Sequence, residues 1–286
     1  MSVSSARVLV HPMYARRRFC ELASRPDAMV DLVEASLVVA LEDEPGLNIN
    51  PYLAEVAEWS DCVQERLEGS RDVDRIVHTI NRLLFAELGF HGENEDYYDP
   101  RSALLNETLD KHAGLPIALS ILYIELSRRV GIEVSGMALP GRFLVKLSGS
   151  FGQVVLDPFD GGKVLTTHEL QSLLDDVYGG GVRLREHHLR SFSRKEILAR
   201  ELAHLKSAYL VRKDLVRAAA SIDRLLILDA DDAFEVRDRA SVAARMHDYR
   251  AAVEGFERYL VLMPHADDAA RVLEHIASLR GWFEQN

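Results

Sequence analysis

The stretch GLPIALSILYIELSRRVGIEVSGMALPGRFLVKL, residues 114–147, determines the fold more than any other part of the chain. Its first half is apolar around most of a helical surface, which predicts a buried central helix that ends at Gly131. The pattern then changes, and residues 143–147 and 153–156 read as two strands bounded by glycines. Because only a short link separates them, these strands are expected to be antiparallel neighbours.

Upstream of this stretch, the chain from Met1 to about His112 indicates a helical lobe. Apolar residues recur at helical spacing in three segments, which are interrupted at residues 45–46, at Gly69 and at Gly89. The sequence therefore predicts an α+β domain, in which a helical N-terminal lobe and a small antiparallel sheet pack on the central helix. Farther along, Thr166 with Glu169 fits the capping box that begins a helix.

The tail contains an internal repeat and is expected to be all helical. A second capping box, Ser193 with Glu196, marks its start. Six residue pairs then recur at one constant spacing: Asp214 and Asp248, Ala218 and Ala252, Ile222 and Phe256, Arg224 and Arg258, Leu226 and Leu260, and Leu228 and Leu262. That period is typical of the helix–turn–helix units of tetratricopeptide repeats. We therefore expect two domains, residues 1–192 and residues 193–286.

Composition excludes several classes of protein. The 286 residues include 34 Lys and Arg against 45 Asp and Glu, which gives a net charge of −11 and argues against broad nucleic-acid binding. No apolar run reaches the ~18 residues that a membrane span needs. The first residues lack the apolar core and cleavage site of a secretory leader, so a cytoplasmic protein that binds neither nucleic acid nor membrane is expected.

Cysteine and histidine usage predicts no metal site, and no cofactor is expected. The two cysteines, Cys20 and Cys62, lie in helix-like segments far from any C-x-x-C pattern, and both are expected to be small buried residues. The histidine pair at residues 187–188 lacks the third and fourth ligands that a zinc site requires.

The chain resembles the bacterial SirB family, in which a transglutaminase-like domain precedes tetratricopeptide repeats. The resemblance rests on LFAELGFHGENEDYYDPRSALLNETLDKHAGLPIALSILYIELSRRVGIEVSGMALPGRFLVKL, residues 84–147. ASLVVALEDEPGLNINPYL, residues 35–53, and VVLDPFDGGKVL, residues 154–165, fit as well. Several separated motifs in the same order make this resemblance specific, and it implies a transglutaminase-like, papain-like fold.

The resemblance also implies where a Cys-His-Asp triad would lie. A cysteine at the start of the central helix would be the nucleophile, and this chain has Pro116 there. A histidine in a Pro-Gly-His-Phe motif would be the base, and this chain has Arg142. Asp157, in Leu-Asp-Pro-Phe, occupies the position of the orienting acid.

At two of these three positions, the residue present cannot perform the catalytic role that the resemblance implies. Pro116 has neither a nucleophilic atom nor a backbone N–H, and it suits the first turn of a helix. Arg142 stays protonated at any useful pH and cannot act as a general base. Arg142 and Asp157 on adjacent strands would form either an anion-binding cleft or an internal ion pair. Ser120, one turn into the helix, is expected to bond a backbone carbonyl.

The predicted function is that of a non-catalytic, transglutaminase-like scaffold or regulator, a pseudoenzyme that binds another protein through its degenerate cleft or its repeats. Arg142, Asp157 and Asn106 are the candidate binding residues, and Asn106 is included because it lies within the motif that resembles the family. The alternative is a papain-like amidase, peptidase or acyltransferase with a non-standard nucleophile.

Overall fold

The computed structural model describes residues 12–93, 99–149 and 152–285. The chain divides into two compact units, Met1–Glu201 and Leu202–Asn286. The N-terminal residues from which the absence of a leader was predicted lie largely outside the described ranges. Within those ranges, no helix is both long enough and apolar enough to cross a bilayer.

The helical lobe of the first unit comprises α1 (Pro12–Ala23), α2 (Leu32–Asp43), α3 (Asn50–Leu67) and α4 (Val73–Asn81). The last of these continues into a π-helical segment, Arg82–Glu87, which the sequence did not predict. Helix α2 begins at an N-cap, where the Asp31 carboxylate accepts a hydrogen bond from the Glu34 N–H at 2.9 Å. It is buried over most of its surface because nine of its residues are inaccessible to solvent.

A short helix, α5 (Leu105–Lys111), precedes the central helix α6 (Pro116–Arg129). Twelve successive residues of α6 are buried, as its all-round apolar surface predicts. Pro116 occupies the first turn, where its missing N–H leaves no intrahelical bond unmade. The chain leaves the helix through Gly131, whose φ of 82° is available to glycine without steric cost.

The first unit contains two small sheets. Strands β1 (His91–Gly92) and β2 (Ala113–Gly114) form a short parallel pair. The larger sheet is antiparallel, in the order β3 (Glu133–Leu139), β4 (Arg142–Gly149), β5 (Gly152–Asp157) and β6 (Lys163–Val164). The predicted antiparallel pairing of residues 143–147 with residues 153–156 is therefore confirmed, with Val145 opposite Leu156. Helix α6 packs against both β3 and β4.

The two capping boxes lie where the sequence predicts them. Thr166 and Glu169 exchange hydrogen bonds at the start of α7 (Thr167–Tyr178). Ser193 and Glu196 do the same before α8 (Arg194–Val211). The division between the two units falls inside α8.

The second unit continues with α9 (Leu215–Leu228), α10 (Ala233–Arg245), α11 (Tyr249–Leu262) and α12 (Ala269–Gln285). Helices α9 and α11 begin one repeat period apart, as the sequence predicts. Small residues on α10 and aromatic residues on α11 share one core with α12, and its most buried members include Ala240, Phe256, Tyr259 and Ile276. Each helix pair buries its apolar face against the next, which is how a helical repeat gains stability.

Candidate functional site

The start of α6 is held by backbone hydrogen bonds from two directions. The Leu115 N–H donates to the Ser102 carbonyl at 3.3 Å. In the ladder between β1 and β2, the N–H of His91 donates to the carbonyl of His112 at 3.0 Å. These bonds fix Pro116 at the helix terminus where the resemblance places a nucleophile.

Arg142 and Asp157 lie side by side at the ends of neighbouring strands. Nε of Arg142 is 3.4 Å from Oδ2 of Asp157, so the structure brings together these two sequence-predicted residues. Asp157 is only 2% exposed and ends β5, where the chain turns into a 3₁₀ segment, Pro158–Asp160. Its other carboxylate oxygen accepts the Phe159 N–H at 2.9 Å.

Phe159 completes this arrangement from the other side of Arg142. The guanidinium carbon lies 4.6 Å from the centre of the Phe159 ring, a cation–π contact. Among the described residues, the two Nη atoms of Arg142 make no hydrogen bond, and the side chain remains 30% exposed. The ion pair and the ring therefore orient a guanidinium whose outer donors are available to a ligand.

Burial is the dominant influence on the Asp157 carboxyl group. It raises the pKa of Asp157 above the usual range for aspartate, and the positive charge of Arg142 and the Phe159 N–H offset part of that effect.

Two linked side-chain hydrogen bonds, which the sequence did not predict, stabilise the turn after Asp157. Tyr123 of α6 donates its hydroxyl hydrogen to Asn81 at 3.0 Å, and the Asn81 amide donates to the Gly162 carbonyl at 2.8 Å. Phe159 was also missed, although it stands in the quoted Leu-Asp-Pro-Phe motif. The one signal in the sequence that could have indicated Phe159 was its position, two residues after Asp157 in this motif.

Ser120, the alternative nucleophile that the sequence offers on the central helix, is not available to a substrate. The Ser120 side chain is fully buried, and its hydroxyl donates to the Phe143 carbonyl at 2.8 Å, which agrees with the prediction of a carbonyl partner.

The prediction that both cysteines are buried is wrong. Cys20 is exposed on α1 and Cys62 is half-buried on α3, because each falls beside the buried stripe of its amphipathic helix.

Asn106 does not join Arg142 and Asp157. It lies on α5 and lines a separate cleft, where its amide Nδ2 contacts the Glu44 carboxylate at 3.4 Å. Neither Arg142 nor Asp157 is among the lining residues of that cleft in the part of the chain that the structure describes. The described ranges also contain no group of three or more His, Cys, Asp or Glu side chains that could hold a metal.

Comparison with known families matches both units. The transglutaminase-like superfamily model matches residues 50–203, and a tetratricopeptide repeat model matches residues 205–277. The expected fold class, a transglutaminase-like domain with a small antiparallel sheet followed by helical repeats, is therefore confirmed.

Full-length relatives cover nearly the whole chain. A UPF0162 protein of Xylella fastidiosa is 32% identical over 261 residues, which span 90% of this chain and 93% of the relative. A UPF0162 protein of Vibrio cholerae is 30% identical over 249 residues, or 87% of this chain and 91% of the relative. The similarity to F-box only protein 21 of Mus musculus, 29% over 108 residues, covers 35% of this chain and 17% of that protein.

Proposed function

Because the chain belongs to the transglutaminase-like superfamily and to the group of UPF0162 proteins with a tetratricopeptide repeat, we propose that it is a non-catalytic protein-interaction scaffold or regulator. One observation carries the proposal. The Arg142–Asp157 ion pair stands where the family resemblance places the base and the orienting acid of a triad. Membership of the SirB family, and the regulatory role predicted from it, rest on the sequence motifs alone and stay predictions.

Loss of catalysis follows from the chemistry of the residues at these positions. Nucleophilic catalysis of acyl transfer needs a nucleophile, a base that accepts its proton and donors for the oxyanion. Pro116 supplies neither a nucleophile nor an N–H donor, and Arg142 accepts no proton. The buried, hydrogen-bonded Ser120 hydroxyl supports the proposal because it has no access to a substrate.

Arg142 is the residue through which the degenerate cleft would bind a partner. Its Nε lies 3.4 Å from the Asp157 carboxylate and its guanidinium carbon lies 4.6 Å from the centre of the Phe159 ring, so two neighbours restrict the orientation of the remaining donors. A planar guanidinium matches a carboxylate with two parallel hydrogen bonds. The group that fits this site is therefore a carboxylate of a partner protein, either an Asp or Glu side chain or a chain terminus.

The repeat unit supplies a second surface for a protein partner. Tetratricopeptide repeats typically bind proteins, and this unit leaves several large apolar side chains exposed, among them Phe234, Val261 and Leu273. Exposed apolar residues of this size are common at protein–protein interfaces.

The acidic charge of the chain disfavours nucleic acid as the partner. A cytoplasmic setting belongs to the proposal as well, since neither Cys20 nor Cys62 forms a disulfide.

A quantitative pull-down tests the role of Arg142. The wild type is compared with Arg142→Glu and with Arg71→Glu, an exposed arginine that undergoes the same change of charge elsewhere in the first unit. We expect a captured protein to be lost with Arg142→Glu and retained with Arg71→Glu, after circular dichroism has shown that both variants are folded. Retention by both variants would leave the repeat unit as the binding surface.

An activity assay tests the non-catalytic part of the proposal. Purified protein is incubated with amide, peptide and acyl-donor substrates, with and without a primary amine. We expect no turnover above the uncatalysed rate. Turnover that disappears in Asp157→Asn would overturn the proposal and support a papain-like amidase, peptidase or acyltransferase.

A further inference from the structure

A second cleft, of about 520 Å³, lies in the first unit between the end of α2, the start of α3 and α5. Four carboxylates line it: Glu44, Glu55, Glu107 and Asp110. In the part of the chain that the structure describes, no Lys or Arg is among its lining residues. The cleft is therefore strongly acidic.

Three of these carboxylates have partners, and one of the three contacts is long. The Tyr52 hydroxyl lies 3.0 and 3.1 Å from the two carboxylate oxygens of Asp110, and Lys111 pairs with Glu107 at 2.7 Å. Glu44 contacts the Asn106 amide at 3.4 Å, a long hydrogen bond. Glu55 forms no hydrogen bond or ion pair with another described residue. Two carboxylates thus retain most of their capacity to accept hydrogen bonds from a ligand.

Asn106 gives an independent indication of a ligand. Its side chain lines the cleft and the residue is only 2% exposed, yet its carbonyl oxygen Oδ1 has no hydrogen-bond partner among the described residues. A buried amide oxygen without a donor is unfavourable, and such groups are rare in folded proteins. The carbonyl oxygen lacks a donor at a cleft whose charged lining residues are all acidic.

The electrostatic environment of Tyr52 agrees with this picture. Burial, the hydrogen bond to Asp110 and the negative charges of Asp110, Glu44 and Glu107 raise the pKa of Tyr52 to about 12. A cation in the cleft would be attracted by the same charges.

The spread of the acceptors distinguishes between possible cations. Because the described residues bring no three carboxylates around one point, a metal ion would lack sufficient ligands. A guanidinium offers five N–H donors in one plane and pairs with carboxylates bidentately. We propose that this cleft binds a guanidinium group, which donates to Glu44, Glu55 and the amide oxygen of Asn106. The group would come from an arginine side chain of a peptide or from a free guanidinium compound.

This proposal stands apart from the proposed function, because its cleft does not include Arg142 or Asp157. The test is isothermal titration calorimetry of the full chain with three blocked amino acids, the N-acetyl amides of arginine, lysine and citrulline. Citrulline has nearly the shape of arginine but no charge. We expect arginine to bind at least tenfold more tightly than either of the others. Equal binding of all three, or no binding of arginine, would overturn the proposal.

A matched pair of variants locates the site. Glu44→Gln removes one charge from the cleft, and Glu65→Gln removes one from an exposed position on α3 outside it. We expect arginine affinity to fall at least tenfold in Glu44→Gln and to change less than twofold in Glu65→Gln. Equal losses in both variants would mean that binding reflects the overall acidic charge and would contradict the proposal.

Two further arms complete the experiment. Agmatine and a blocked tetrapeptide that contains one arginine distinguish a free compound from a peptide segment, and tighter binding of either identifies the source. In a ¹⁵N NMR titration, the side-chain amide signal of Asn106 should shift on addition of arginine. An unmoved Asn106 signal at saturating arginine would overturn the assigned site. This readout requires no substitution at the buried Asn106.

Discussion

Lys213 and His247 occupy equivalent positions in the two repeats and share a left-handed backbone conformation, with φ values of 61° and 65°. Each is followed by an N-cap aspartate whose carboxylate accepts an N–H from the first turn of the next helix. Asp214 accepts from Arg217 at 3.0 Å, and Asp248 accepts from Ala251 at 3.1 Å. The repeat in the sequence therefore corresponds to a repeated turn with the same backbone geometry.

This turn predicts a stabilising substitution. A non-glycine residue in the left-handed region carries a steric strain of about 1–2 kcal/mol. Replacement by glycine relieves this strain, but glycine also has more conformational freedom in the unfolded chain, which offsets part of the gain in stability. We expect Lys213→Gly to raise the free energy of unfolding by roughly 0.5–1 kcal/mol and Lys213→Val to lower it. Urea denaturation measures both, and a loss of stability in the glycine variant would contradict a left-handed conformation at this residue.

The glycine pair after Asp157 predicts two unequal losses of stability. A Cβ atom at Gly162 would overlap the Asn81 side chain, whereas one at Gly161 would meet no atom within 4 Å. Both residues have positive φ, so both alanine variants carry backbone strain of about 1–2 kcal/mol. We expect Gly162→Ala to lose about 1–3 kcal/mol more than Gly161→Ala because of the overlap. Chemical denaturation should show this difference, and equal losses would argue against the close approach of Asn81.

The ion pair predicts how stability depends on pH. Burial raises the pKa of Asp157 above its value in the unfolded chain, so its ionisation destabilises the fold as pH rises through the raised value. Removal of Arg142 raises that pKa further. We expect Arg142→Gln to cost about 1–3 kcal/mol at pH 7 and less at pH 4, where the carboxyl group is closer to neutral.

The double variant Arg142→Gln with Asp157→Asn is the control for this prediction. An amide at residue 157 does not titrate, so the added pH dependence should disappear. Denaturation curves between pH 4 and pH 7 provide the measurement. A cost of Arg142→Gln that stays constant over this range would mean that Asp157 does not respond to Arg142.

The repeat unit offers a matched pair of helical glycines. A Cβ atom at Gly255 on α11 would lie 2.8 Å from the Cβ atom of Ala240 on α10, whereas Gly281 on α12 has open space. Gly281→Ala should stabilise the protein by about 0.5–1 kcal/mol through helix propensity. Gly255→Ala should destabilise it by about 1–3 kcal/mol, since the two helices would have to separate. Thermal unfolding followed by circular dichroism compares the two variants.

The sequence was most informative where a single local pattern determines the structure. Three local patterns predicted helices and strands that the structure contains: the apolar surface of residues 116–129, the glycine-bounded segments 143–147 and 153–156, and the capping boxes of Thr166 and Ser193. The constant spacing of the matched residues in the tail predicted the repeated helices. The π-helical segment Arg82–Glu87 and the parallel pair of β1 and β2 carry no such pattern, because packing against distant residues stabilises them.

The sequence by itself therefore determined the fold class, because local patterns of apolar residues and ordered motifs are sufficient to indicate it. It also gave the residue types, Pro116 and Arg142, at the positions where the family resemblance places a nucleophile and a base. Only the tertiary structure decided which residues meet. It placed Phe159 against Arg142, placed Asn81 behind the turn that follows Asp157, and separated Asn106 into a cleft of its own. These relationships depend on contacts between residues far apart in the chain, and no periodicity along a sequence encodes such contacts.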